Sequence, residues 1–109
     1  MFQLSFHNPA PFAIDPATLP PAAQQIAAGN RATLATYSGT AMSDPTLIGR
    51  LATVAVPTLV LWGDSDRIVT PQCGRAWADA IPKARFEVLR DTGHMPQIET
   101  PDQLLEAIR

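Results

Sequence analysis

The spacing of apolar and polar positions changes along the chain, and each change marks an element. From residue 20 to about 37 an alanine-rich stretch brings Ile26, Thr33, Leu34 and Tyr37 near one face of a 3.6-residue repeat, which predicts a helix. Gly29 inside it costs up to about 1 kcal/mol. Ser38-Gly39 stops it, because glycine readily takes the left-handed conformation that closes a helix. A second, short helix is predicted over about 45–52, with Leu47, Ile48 and Leu51 on one face, Asp44 as its cap and Pro45 in its first turn. It must end before Pro57, since the residue preceding a proline is pushed out of helical space.

Residues 58–62 read differently. They are β-prone and apolar without alternation, the pattern of a strand covered by helices on both faces. Thr70-Pro71 opens the next helix, whose stripe is Ala76, Trp77, Ala80 and Ile81, and Pro82 stops it. A second strand is predicted at about 85–89. Thr100-Pro101-Asp102-Gln103 then opens a last helix, with Thr100 as cap and Gln103 able to reach back to it. Residues 57–109 therefore spell strand, helix, strand, helix, which predicts an α/β arrangement of two parallel strands joined by a right-handed crossover. Before all this, residues 1–21 hold five of the eleven prolines and no periodicity, so they should be mostly extended and irregular.

Composition narrows the class. A chain of 109 residues with 46% hydrophobic and 17% charged positions fits one soluble globular domain. A formal net charge of -2, with eight Lys and Arg scattered along the chain, gives no electrostatic footprint for nucleic acid. The longest apolar stretch, residues 54–62, is about half of the roughly 20 residues a membrane helix needs, and Pro57 interrupts it. No membrane partner is expected. No Lys or Arg precedes Arg31 and no continuous apolar block lies there, so the layout of a secretory signal is missing and a cytoplasmic location is expected. Cys73 is the only cysteine, which leaves no internal disulfide and, with only His7 and His94 beside it, no Cys/His zinc site. It is expected to act as a small buried apolar residue. No metal or organic cofactor is implied.

The chemistry lies just past the two strands. Asp66 closes Gly63-Asp64-Ser65-Asp66 after the first, and His94 lies in Gly93-His94-Met95-Pro96 after the second. Active groups in open parallel sheets gather at the carboxyl ends of strands. Neighbouring strands are about 4.8 Å apart, so an Asp66 carboxylate could reach an imidazole nitrogen of His94. That bond would fix the tautomer and stabilise the imidazolium formed when the ring takes a proton. Gly93 permits the tight turn that aims His94 back over the sheet. His7 has no such context and is expected to be an exposed loop residue. Trp62 and Trp77 read as core aromatics, Met95 as either a substrate contact or a gap filler, and Glu99 as support for the loop and the start of the last helix.

Val56-Pro57-Thr58-Leu59-Val60-Leu61-Trp62-Gly63-Asp64-Ser65-Asp66-Arg67-Ile68-Val69 and Gly93-His94-Met95-Pro96-Gln97-Ile98-Glu99-Thr100-Pro101 together resemble the C-terminal part of the α/β-hydrolase fold family. The resemblance covers roughly residues 44–109. It implies that Asp66 is the acid and His94 the base of a catalytic triad, that residues 1–43 are part of a helical cap or lid, and that Asp64 is a solvated loop carboxylate. It also implies a serine-type nucleophile in a G-x-S-x-G segment upstream. No such segment exists in the chain. The nearest match sets Ser65 where that serine would be, but Arg67 stands where a close-packed glycine is needed. The expectation is a fragment of a hydrolase of ester-like small molecules, one that ends in mid-helix and is inactive alone. The alternative is a non-catalytic chain that binds or completes a partner's sheet, with self-association through the exposed edge.

Overall fold

The structure, a computed structural model, describes residues 2–38 and 43–109. It divides into two compact units, Met1–Pro11 with Thr46–Arg109, and Phe12–Pro45. The second unit is dominated by one helix, α2 (Pro21–Ser38). The first holds a short helix α1 (Phe2–Ser5), then α3 (Leu47–Leu51), β1 (Thr58–Gly63), α4 (Pro71–Ala80), β2 (Ala84–Leu89), α5 (Pro96–Glu99) and α6 (Pro101–Ala107). Short 3-10 turns at Ala10–Phe12 and Pro16–Thr18 punctuate the proline-rich start, and the side chain of Asp15 accepts from the Ala17 N–H to cap the second.

Helix α2 forms where the sequence predicts it, and its proposed apolar face is exposed. Ile26, Leu34 and Tyr37 all lie in solvent and none of its residues is buried. Its polar side chains turn back on the backbone, Thr33 donating to Gly29 O, Thr36 to Ala32 O and Ser38 to Leu34 O. The glycine expected to stop it, Gly39, lies outside the described residues. Helix α3 is shorter than predicted. It starts after Thr46 rather than at Pro45, and the Thr46 side chain does not cap it.

In the first unit β1 pairs in parallel with β2, in a register running from Thr58 opposite Ala84 to Gly63 opposite Leu89. Side chains two apart share a face. Val60, Trp62, Phe86 and Val88 therefore point to one side, where α4 packs. Trp62 meets Trp77 edge to face with ring centres 5.6 Å apart, and the Arg75 guanidinium lies 4.3 Å over the Phe86 ring. The expected stripe of α4 is rotated. Gly74 and Ala78 are buried, one turn apart, while Ala76 is exposed. A Cβ on Gly74 would run into the Trp62 indole, so the bulk of that ring decides which face turns inward.

The two-sided cover expected for the first strand is incomplete among the described residues, where no position of β1 before Gly63 is fully buried. Two strands offer too little surface for helices to enclose. Cys73 likewise is only half-buried. At the last helix, Gln103 does not reach back to Thr100. Its side chain donates to Arg90 O at 2.9 Å and accepts from Arg90 N at 3.1 Å, tying α6 to the end of β2. The extra turn α5 precedes α6, with Thr100 between them. Phe6, Ala78, Ile81 and Leu89 make up the buried apolar core.

Candidate active site

Both strands end in turns that lean on each other. Beyond β1 and β2 the backbone continues to pair, Asp64 N donating to Leu89 O and Ser65 N to Thr92 O, each at 2.9 Å. Gly63 makes this approach possible, since a Cβ there would overlap the Thr92 and Gly93 carbonyl oxygens. Asp91 turns the base loop with a φ of 51°, a left-handed conformation that Asp tolerates better than most residues. Thr92, at 0% exposure the most buried side chain of the loop, bonds Arg90 O and the Thr100 hydroxyl.

The acid loop is built around Asp66. Its Oδ1 accepts from Ile68 N at 2.9 Å and Val69 N at 3.0 Å, a turn closed by its own side chain. The Trp62 indole N–H donates to Val69 O at 2.8 Å and pins the loop to β1. This leaves Oδ2, which lies 2.8 Å from Nδ1 of His94. The Asp66 side chain is 4% exposed and that of His94 39% exposed. The carboxylate is thus buried and fully used, while the ring reaches the surface. No described residue bonds to His94 Nε2, which faces away from the acid. The pair borders an open hollow of about 180 Å³ that Leu61, Trp62 and Pro96 also line. That is smaller than the roughly 300–1,000 Å³ of a drug-sized pocket.

Two more carboxylates tie the loops together. Asp64, expected to be merely solvated, is exposed, yet its Oδ1 accepts from the Ser65 hydroxyl at 2.8 Å and from Thr92 N at 3.3 Å. Partial burial alone would raise its carboxyl. The Ser65 hydroxyl, the amides of Asp91 and Thr92 and the nearby His7 ring outweigh it and hold the group below its ordinary value. Glu99 supports the loop from α5. Its Oε2 accepts from Gly93 N at 2.7 Å and its Oε1 from Asn8 N at 2.9 Å. Partial burial again pushes upward, and the amides of Asn8, Gly93 and His7, with the His7 ring, bring the carboxyl below its usual range.

His7 is exposed, as expected, but its Nδ1 lies 2.8 Å from the Ser65 hydroxyl and its Nε2 3.8 Å from Asp91. Two other partners of the loops carry no sequence signal, the Ser5 carbonyl that accepts from His94 N at 2.7 Å and the Arg67 guanidinium on the N-terminal backbone. Among the described residues no group of three or more His, Cys, Asp and Glu is arranged to hold a metal ion, and no helix is long and apolar enough to cross a membrane.

The chain is similar in sequence and fold to known proteins. A sequence model of the alpha/beta hydrolase fold matches residues 10–101. Lipase 1 of Psychrobacter immobilis is 38% identical over 53 residues, which make up 49% of this chain and 17% of the lipase. The 2-hydroxy-6-oxononadienedioate/2-hydroxy-6-oxononatrienedioate hydrolase 2 of Pseudomonas putida is 36% identical over 55 residues, 50% of this chain and 19% of that enzyme. Among solved structures, Est816, an N-acyl homoserine lactone degrading enzyme, aligns with a TM-score of 0.56 at 35% identity, over 63% of this chain and 29% of its own. The chain therefore matches less than a third of the length of each of these three proteins. The two parallel strands with their crossover helix are part of the same fold, and with the match running through residues 10–101 the chain belongs to the α/β-hydrolase fold family.

Proposed function

We propose that Asp66 and His94 are the acid and base of a hydrolytic triad whose nucleophile lies outside these 109 residues, and that the substrate is an ester-like small molecule. The observation that carries this is the 2.8 Å bond between a buried, otherwise satisfied carboxylate and one nitrogen of a half-exposed imidazole. With Nδ1–H donated to Asp66, Nε2 is the basic nitrogen. A hydroxyl presented to Nε2 loses its proton to the ring as its oxygen attacks the acyl carbon, and Asp66 stabilises the imidazolium. His94 then returns the proton to the leaving alkoxide. Water, deprotonated in the same way, releases the acyl group and regenerates the hydroxyl.

The relatives named above are a lipase, a dioate hydrolase and a lactone-degrading enzyme, which supports hydrolysis of acyl compounds and leaves the bond to be chosen by parts of the pocket that the chain does not supply. In this reading residues 44–109 are the C-terminal part of the hydrolase core and residues 1–43 part of the cap or lid, of which Met1–Pro11 falls in the same compact unit as the core. The chain alone should turn over no ester. Hydrolysis of a p-nitrophenyl ester by the purified chain that disappears in His94→Ala would place the nucleophile inside it and defeat the proposal. An in-frame G-x-S-x-G segment in the DNA upstream of Met1 would supply the missing group, and a stop codon there would favour the rival.

That rival is a non-catalytic chain that completes a partner's sheet. It draws on one feature: among the described residues the sheet is two strands wide, so each strand has an edge without a neighbour. It predicts concentration-dependent association in sedimentation, and a monomer with a sharp cooperative melt would contradict it.

A further inference from the structure

The first residues of the chain bind both loops of the acid–base pair. Ser5 O accepts from His94 N at 2.7 Å, and Phe6, 5% exposed, sits where a side chain on Gly93 would have to go. The segment is held at two places by charge. Arg67, the neighbour of the acid, donates through Nη2 to Gln3 O at 2.8 Å and to Phe6 O at 3.1 Å. Glu99 takes Asn8 N on one oxygen and Gly93 N, the neighbour of the base, on the other. His7 adds its contact with Ser65 between them. His94 is carried by a turn of irregular backbone, and such a turn keeps its side chain in place only if its N–H groups are fixed.

We infer that residues 2–8 form a strap that sets the position of His94 over Asp66, and that Arg67 and Glu99 are positioning residues for the base. The inference rests on the reading of Asp66 and His94 as acid and base. The strap couples the two loops: Arg67 moves with Asp66, Glu99 holds the turn bearing His94, and the segment spans both. Charge-assisted bonds to backbone groups are among the stronger ones, which suits them to holding short irregular peptide in place.

Amide hydrogen exchange and ring nitrogen spectra of the whole 109-residue chain test this. In the wild-type chain the amides of Asn8, Gly93 and His94 should open together, at a rate separate from the β1 and β2 ladder. Glu99→Gln sets an amide NH2 against one of the backbone donors, and Arg67→Gln removes the guanidinium. Each should speed exchange of the His94 amide by about tenfold, the scale of one lost hydrogen bond to a charged group, with the ladder unchanged. The His94 Nδ1 proton signal should broaden in both. A His94 amide that exchanges like unstructured peptide in the wild-type chain, or at the wild-type rate in both variants, overturns the strap. If a variant loses its ladder protection, the wild-type measurement decides alone. Failure of the acid–base reading would look different, as ester turnover that survives His94→Ala in a protein carrying the nucleophile while the exchange pattern stays as described.

Discussion

Gly63 and Thr92 stand so close that any side chain at Gly63 would overlap the Thr92 carbonyl oxygen, and the Gly93 carbonyl with it. Both obstacles are backbone, so neither can move aside as a flexible side chain would. The approach also sets how near the acid and base loops come, because Ser65 N bonds the same Thr92 oxygen. Gly63→Ala should therefore destabilise the chain by about 1–3 kcal/mol, the usual scale of overpacking. It should also weaken the Asp66–His94 bond. The urea midpoint measures the first effect and the His94 Nδ1 proton signal the second.

Asp66 does two jobs with two oxygens, and the variants separate them. Asparagine keeps a carbonyl oxygen for the Ile68 and Val69 amides but turns an NH2 toward His94, which must then accept on Nδ1 and carry its proton on Nε2. Asp66→Asn should leave stability within about 1 kcal/mol. In a protein carrying the nucleophile it should cut turnover about 10⁴-fold, as the same change does in a serine-protease triad. Asp66→Ala should in addition cost about 1–3 kcal/mol for the part-buried amides left without an acceptor. Denaturation curves and kcat for the two variants check the split.

Much of this was legible in the sequence because it is local. An unbroken β-prone run made 58–62 a strand whatever packed on it, and the places of Asp66 and His94 just past two strands made their meeting a matter of strand spacing. Apart from the starts of α1 and α3, the misses are long-range. The Ser5 carbonyl could not be picked as the partner of His94, since every residue carries a carbonyl and none advertises its use. Gln103 stood where a capping box needs it, and the end of β2 competed for it and won. Gly74 and Ala78 turned inward because the Trp62 ring meets α4 there, which hydrophobicity ranks the wrong way round.

Acid should loosen the loops before it unfolds the helices. Glu99 and Asp64 both ionise below their ordinary range, each drawn down by backbone N–H donors despite partial burial. A carboxylate with a lowered folded value contributes stability above its unfolded value and loses it as pH falls through the folded one. Stability should thus be flat above about pH 5 and decline through the ordinary carboxylate range and below it. Urea midpoints between neutral pH and about pH 3 should show that decline, and Glu99→Gln should reduce its slope. An identical slope in that variant would mean that other carboxylates carry the acid sensitivity.

Ser65 looks like a nucleophile beside a base and should not behave as one. Its oxygen lies 2.8 Å from His7 Nδ1 and also 2.8 Å from Asp64 Oδ1. A hydroxyl has one proton, and an ionised carboxylate can only accept. With Asp64 held ionised, the Ser65 proton points at the carboxylate, and His7 Nδ1 is left to donate to the Ser65 oxygen rather than to take its proton. An imidazole placed as donor cannot activate the hydroxyl. Arg67, moreover, stands two residues on, where a nucleophile turn needs glycine. Ser65→Ala should therefore leave any background hydrolysis of p-nitrophenyl acetate unchanged. It should instead raise the Asp64 carboxyl back toward its ordinary value, since one of the bonds drawing it down is gone, and carboxylate titration by NMR would read this directly. A burst of p-nitrophenol that vanishes with Ser65 would reverse the assignment and put the hydroxyl proton on His7.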